Sequence, residues 1–268
     1  MSNSSDTYSN FTTEQVDVLI ATRAGATTVG VVACLAAILL VLTTKAYRQY
    51  VFRLLLYLSA ASFFSSLVDG LELLSMEPGK HAVYQREGWK DVCATFGFLH
   101  MYGIWLILSL SSWIGLYLLL VSFFKGYLLK NAMGEVFGIL VVIFFPLTII
   151  WLPFLHGMYG LTGIWCDIMP SEGGYGVSNS TSGVVYQMTL FYGPSFLAAS
   201  LGTASEIIMV IAFCRHALNK NQELQRQYRI ALKETLPLLI FTVGFEISAT
   251  VNVVQGVYDA LTVAIKEE

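Results

Sequence analysis

Charge is scarce in this chain. Only 12% of its 268 residues are Asp, Glu, Lys or Arg, while 56% are hydrophobic; a soluble domain carries about 25% charged residues. Too few charges remain to cover the apolar surplus, which excludes an ordinary cytosolic, disordered or collagen-like chain and makes lipid the main solvent. The net charge of −3 gives no support for nucleic-acid binding. Four cysteines are too few for a disulfide scaffold. The signatures of catalysis are missing as well. The four histidines, His81, His100, His156 and His216, are scattered and lack the His-Glu-x-x-His or paired-Cys spacing that holds a metal. There is no Gly-x-Ser-x-Gly elbow and no phosphate-cradling Gly-rich loop followed by Lys. Gly193-Pro194-Ser195 reads as a local helix irregularity rather than a nucleophile turn. We therefore expect no enzyme, no metal and no cofactor. The halves show no internal duplication of the kind repeat-built transporters carry, and no re-entrant pore-loop pattern appears.

What the chain has in quantity is long apolar runs. A membrane-spanning helix needs roughly 20 mostly apolar residues. Six stretches qualify, at about 24–42, 52–74, 92–124, 136–155, 184–213 and 236–254. None alternates with period two, so helices are expected rather than a barrel. The apolar stretch after Tyr258 is too short to cross. The expected fold is an all-α integral membrane protein, a receptor-type helix bundle with six full spans and the stub of a seventh. Its expected divisions are a short glycosylatable N-terminus (1–17), a single bundle domain (18–258) and a truncated stub (259–268).

Orientation follows from the basic residues. Lys45, Arg48 and Arg53 follow the first span, Lys125 and Lys130 the third, and Arg215, Lys220, Arg226, Arg229 and Lys233 the fifth. Ten of the fifteen Lys and Arg thus fall on one side, which the positive-inside rule makes cytoplasmic. Lys80, Arg86 and Lys90 are a mild exception on the other side, accompanied by acids. The N-terminus is then outside, and the sequons at Asn3, Asn10 and Asn179 all fall there too. Residues 1–17 have neither a basic start nor an apolar stretch, so the first span is expected to act as its own insertion signal.

The same topology sorts the cysteines. Cys34 lies within the first span and Cys214 at the inner end of the fifth, whereas Cys93 and Cys166 both face the oxidising side. A Cys93–Cys166 disulfide is therefore expected, tying the loop before span five to the top of helix three.

Four acids fall within the spans, where ionisable groups are expensive and mark function or packing by default: Asp69, Glu72, Glu206 and Glu246. Asp69 and Glu72 sit in the outer third of helix two. His100, Tyr102 and Trp105 lie at comparable depth on helix three, Trp151 and His156 on helix four, and Tyr186, Gln187 and Tyr192 on helix five. Asp69, Glu72, His100, Tyr102, Trp105, Trp151, Tyr192 and Glu246 are the candidates for an outward-open pocket. The alternative is that these groups satisfy one another between helices. Ala198, Gly202 and Glu206, like Ala26, Gly30 and Cys34, make small-residue stripes suited to close helix packing. The basic stretch 215–233 could attract anionic lipid or a protein partner.

With an outer N-terminus, the Cys93–Cys166 pair and a basic third inner loop, the chain resembles a G-protein-coupled receptor. It is unlike the rhodopsin class: helix three ends Leu120-Val121-Ser122-Phe123-Phe124-Lys125, without the Asp/Glu-Arg-Tyr signature, and helix six lacks Cys-Trp-x-Pro. It is more similar to the group joining secretin/adhesion-type receptors to the slime-mould cyclic-AMP receptors. Four stretches carry the likeness: Arg53-Leu54-Leu55-Leu56-Tyr57-Leu58-Ser59, Cys93-Ala94-Thr95-Phe96-Gly97-Phe98-Leu99, Phe145-Pro146 with Trp151-Leu152-Pro153-Phe154, and Tyr159-Gly160-Leu161-Thr162-Gly163-Ile164-Trp165-Cys166. The resemblance implies seven helices, an outer ligand pocket, a place in the plasma membrane and coupling to a heterotrimeric G protein. Its inner contacts would be Lys45, Arg48, Arg215, Lys220, Arg226 and Arg229. The sequence departs from the group in its short N-terminal segment and in ending before a seventh helix. A non-signalling protein, such as a small-solute transporter using Asp69, Glu72 and Glu246, is the competing expectation.

Overall fold

The structure is a computed structural model, and it describes residues 13–75, 89–124, 132–162, 165–168 and 182–217. Helix α1 runs Thr13–Thr43, α2 Tyr50–Ser75, α3 Trp89–Phe124 and α4 Ala132–Leu155. A two-stranded antiparallel hairpin follows, β1 Tyr159–Thr162 and β2 Trp165–Ile168, with Leu161 opposite Cys166. Helix α5, Ser182–Gln187, leads through a π turn at Met188–Tyr192 into α6, Gly193–Ala217. Four helices are long and apolar enough to cross a membrane, over Ile20–Thr43, Phe52–Leu74, Asp91–Tyr117 and Gly134–Leu155. This is a mostly helical membrane protein. The fifth expected span coincides with α5, the π turn and α6; the sixth, with Glu246, lies outside the described residues.

Lipid as solvent explains what these helices expose. Val29, Leu40, Phe137, Leu155 and Phe196 are each more than three-fifths exposed, an apolar surface that water would not tolerate at this extent. Hydroxyls on the helices return their protons to the preceding turn: Thr28 to the Ala24 carbonyl, Thr95 to Asp91 and Ser205 to Leu201. Each of these bonds keeps a hydroxyl proton satisfied in hydrocarbon.

Helix ends are set by local chemistry. Gly157, at φ 62°, takes the left-handed position after α4. There the Gly157 N–H donates to the Phe154 carbonyl and the Met158 N–H to that of Pro153, two of the carbonyls a helix end leaves open. Lys45 occupies the same conformation after α1, and its charge suits the negative end of that helix.

The irregularity expected around Gly193-Pro194-Ser195 falls immediately after the π turn. Pro194 has no N–H for the carbonyl four residues back, that of Leu190. The indole N–H of Trp105 donates to that carbonyl at 2.9 Å.

Two compact units are distinguished, one of Met1–Leu39, Ser59–Leu106 and Phe145–Phe191, the other of Leu40–Leu58, Ile107–Phe144 and Tyr192–Glu268. In the first, the core gathers Met101, Trp105 and Ile150 from the helices with Met158, Tyr159 and Ile168 from the hairpin region. Its helices approach closely where one side chain is missing. A Cβ on Gly30 of α1 would lie 2.8 Å from Ser66 Oγ, and one on Gly103 of α3 would lie 3.0 Å from Ser65 Cβ. The stripe on helix one is thus a packing seam at Gly30, while Ala26 is exposed.

In the second unit the Arg53 guanidinium forks onto Glu135, with Nε to Oε1 at 2.7 Å and Nη2 to Oε2 at 2.6 Å. The Tyr57 hydroxyl donates to the same carboxylate. Arg53 also donates to the carbonyls of Tyr47 and Arg48, which anchors the turn between α1 and α2. The Trp113 indole rests on bare Gly138, where any Cβ would overlap the ring. Gly115 faces Gly202 across α3 and α6 at ordinary contact distance; the Glu206 side chain lies outside the described ones.

Candidate functional site

The candidate site lies in the first unit and is built on α2. Asp69 and Glu72 stand three residues apart, so their side chains leave neighbouring faces of the helix. One nitrogen, Arg23 Nη2 of α1, reaches both: 2.7 Å to Glu72 Oε2 and 3.2 Å to Asp69 Oδ1. His100 Nδ1 of α3 lies 2.7 Å from that same Asp69 oxygen. The other Glu72 oxygen accepts the backbone N–H of Cys166 at 2.6 Å. Glu72 is completely buried, whereas Arg23, Asp69 and His100 each keep about a fifth of their side chain exposed. A buried carboxylate is tolerated only when it is paired and its remaining lone pairs are used. Glu72 meets both conditions, and in doing so joins α1, α2 and the hairpin.

The hairpin is fastened from several sides. Cys93, at the start of α3, and Cys166, on β2, form a disulfide. The buried Tyr159 hydroxyl donates to the Ile150 carbonyl, and the Gln187 amide donates to the Ile168 carbonyl at 2.6 Å. Gly97 makes room underneath: a Cβ there would stand 3.1 Å from the Tyr159 ring and 3.2 Å from the Asp167 backbone nitrogen. Burial pushes the Tyr159 phenol upward, further raised by the charge of Asp167. Burial also raises the Asp167 carboxyl, against the opposing pull of His100 and of the Ile168 N–H that donates to it.

Beside this cluster stand aromatic groups. Phe98 packs on Trp151 with ring centres 5.0 Å apart and on Tyr159 at 6.1 Å. Tyr102 meets Phe64 edge to face. Trp105 is buried in the core, its N–H used by Leu190. Trp151 is 46% exposed. The His156 ring stacks on Tyr186, with its Nδ1 2.9 Å from the Tyr186 hydroxyl.

The structure therefore brings together Asp69, Glu72 and His100 from the expected pocket set. It places Tyr102, Trp105 and Trp151 in the same unit and Tyr192 in the other. Lys45 and Arg48 are exposed beside the turn that Arg53 anchors. Arg215 is in α6, its side chain outside the described ones. Lys220, Arg226, Arg229, Glu246 and the sequons Asn3, Asn10 and Asn179 lie outside the described residues. Sequence reasoning missed Arg23, which stands one position before the first span as drawn from hydropathy. A lone arginine at the rim of one span, with two acids at the same depth of the next, was the available signal. Glu135, the partner of Arg53, was missed for a similar reason. No protein-family model matches the chain, and no curated protein matches it.

Proposed function

We propose that the chain is a cell-surface receptor of the G-protein-coupled type, similar to the secretin/adhesion and cyclic-AMP-receptor group. It lies in the plasma membrane with its N-terminus outside and six full spans, the sixth carrying Glu246. An extracellular ligand acts on the polar and aromatic region around Asp69, Glu72 and His100, and a heterotrimeric G protein meets Lys45, Arg48 and the basic stretch from Arg215 to Arg229. The ligand shifts a pre-existing equilibrium of the bundle, and only differential affinity for its two states does so.

The observation that carries this reading is the fastened hairpin. Disulfide, buried carboxylate and phenol all fix β1 and β2 against α2, α3 and α4, at residues that the charge rule puts outside. A loop held in this way gives an outside ligand a rigid surface to press on. Asp69 and Glu72, by contrast, are already engaged, by Arg23, His100 and the Cys166 N–H. That favours a receptor over a transporter, which would need them free for its solute. The test is nucleotide exchange on a heterotrimeric G protein by the chain in lipid nanodiscs, with fractionated extracellular medium as the ligand source. Exchange above that of empty discs supports the receptor; solute flux abolished by Glu246→Gln, without exchange, supports the transporter.

A further inference from the structure

The turn between α1 and α2 carries charge of one sign at the depth where lipid headgroups lie. The apolar span of α1 ends at Thr43, and Lys45, Tyr47 and Arg48 follow it, all exposed. Just before them on α1, Leu40 is 64% and Leu42 46% exposed, side chains left for hydrocarbon to cover. The headgroup region is a layer about 5–7 Å deep on each face of a bilayer. The two cations therefore stand at the level of the phosphates, with Tyr47 of the residue type that settles there.

These cations are held in place and are not neutralised. The Arg48 N–H donates to the Lys45 carbonyl, closing one turn with a cation at either end. Arg53 donates to the carbonyls of Tyr47 and Arg48, which fixes the turn. No Asp or Glu occurs between Asp17 and Asp69, and Glu135 of α4 has both oxygens engaged by Arg53 and Tyr57. Among the described residues, neither Lys45 nor Arg48 enters an ion pair. Lys45 also holds a positive φ of 55°, a conformation that glycine adopts without steric conflict and lysine does not. Strain of that kind at an exposed residue points to a use for its side chain.

We propose that this turn binds an anionic phospholipid, its phosphate between Lys45 and Arg48 and its acyl chains along Leu40 and Leu42. Arginine forks onto phosphate oxygens, and lysine meets them as a point charge. A soluble protein partner could meet the cations but has no hydrocarbon to lay on the leucines. The continuity of cations with lipid-facing apolar surface is what selects a lipid. The site adds a lipid to the surface assigned above to the G protein. It needs neither signalling nor the proposed orientation, which decides only the leaflet that supplies the lipid.

The test reconstitutes the full chain in equal parts of phosphatidylglycerol and phosphatidylcholine, which share the phosphate and differ in that choline adds its own cation. The chain is then returned to detergent micelles, and the lipid retained per chain is measured. The wild type should retain phosphatidylglycerol in preference, and added phosphatidylglycerol should raise its thermal unfolding midpoint, because a ligand of the folded state stabilises it. Each cation removed should weaken the preference about fivefold, in Arg48→Gln alone and further in Lys45→Gly with Arg48→Gln. Lys45→Gly also relieves the positive φ, so its midpoint in neutral detergent should be no lower than the wild type's, which separates lost lipid from lost fold. If the double variant does not fold, Arg48→Gln carries the test. Lys125→Gln with Lys130→Gln removes as much charge from the side that the charge rule shares with this turn, and should leave the preference intact. No preference in the wild type overturns the site. Equal loss in the two double variants also overturns it, by showing a general attraction to a basic face. Excess inorganic phosphate should leave the retained lipid in place; its displacement would mark a free-phosphate site and overturn the lipid. Nucleotide exchange is not a readout here, so failure of this site and failure of the receptor reading are distinguishable.

Discussion

Glu72 joins separate elements of the first unit, because its two oxygens serve Arg23 of α1 and the Cys166 N–H of β2. Truncation to Ala would leave the Cys166 N–H without its Glu72 acceptor and take from Arg23 its 2.7 Å contact, the shorter of its two to the acids of α2. Breaking a buried pair of this kind costs about 3–5 kcal/mol. Asp69→Asn should cost less, since Asp69 is partly exposed and Arg23 stays with Glu72; unfolding of both variants in the same micelles checks the order. Gly97 matters for the opposite reason, by what it lacks. Gly97→Ala would push a methyl group against a ring and a backbone nitrogen, and such overpacking costs about 1–3 kcal/mol. Gly25→Ala, with nothing within 4 Å of the added carbon, is the neutral control. A Gly97→Ala midpoint equal to that of Gly25→Ala would refute the close approach of hairpin and α3.

At the scale of elements, the hairpin unites two kinds of fastening, covalent and polar. Replacing both Cys93 and Cys166 by Ser removes the bridge and leaves the Glu72, Tyr159 and Gln187 contacts. A native disulfide contributes about 2–4 kcal/mol, so the double variant should stay folded with a lower midpoint and faster hydrogen exchange over 158–168. Full loss of folding would mean that the polar contacts hold nothing by themselves. The long helices were legible from the sequence because hydrocarbon thickness demands an apolar run that few other structures need. The break near Gly193 was legible because Pro194 lacks a donor. The strands were not, since four residues containing Gly160 or Cys166 carry too short an alternation to separate from a loop. The ion pairs were not either: Arg23 and Arg53 meet their carboxylates 49 and 82 residues away. Proximity of that kind is set by helix packing, and local pattern has no trace of it. Hydropathy even drew the first span to exclude Arg23, because a paired arginine scores as a free one.

The whole molecule reads as a membrane protein whose scarce charges are placed. The described acids of the spans are paired, and the basic residues that flank the spans fall mostly to one side. On the orientation proposed here, the described cluster of Arg23, Asp69, Glu72 and His100 lies on the outer side together with the clamped hairpin. Lys45 and Arg48, beside a turn that Arg53 and Glu135 hold in place, offer a basic surface in the second unit. Arg53→Met should loosen that turn and weaken G-protein exchange more than it lowers the unfolding midpoint, because the lost contacts are to loop carbonyls as well as to Glu135. Equal losses in both would mark Arg53 as structural only. Nucleotide exchange on a heterotrimeric G protein, measured with the full chain in lipid nanodiscs, tests the central claim most directly. The receptor reading predicts exchange above that of empty discs, responsive to a component of extracellular medium. Exchange no faster than empty discs, with solute flux that Glu246→Gln abolishes, would contradict it.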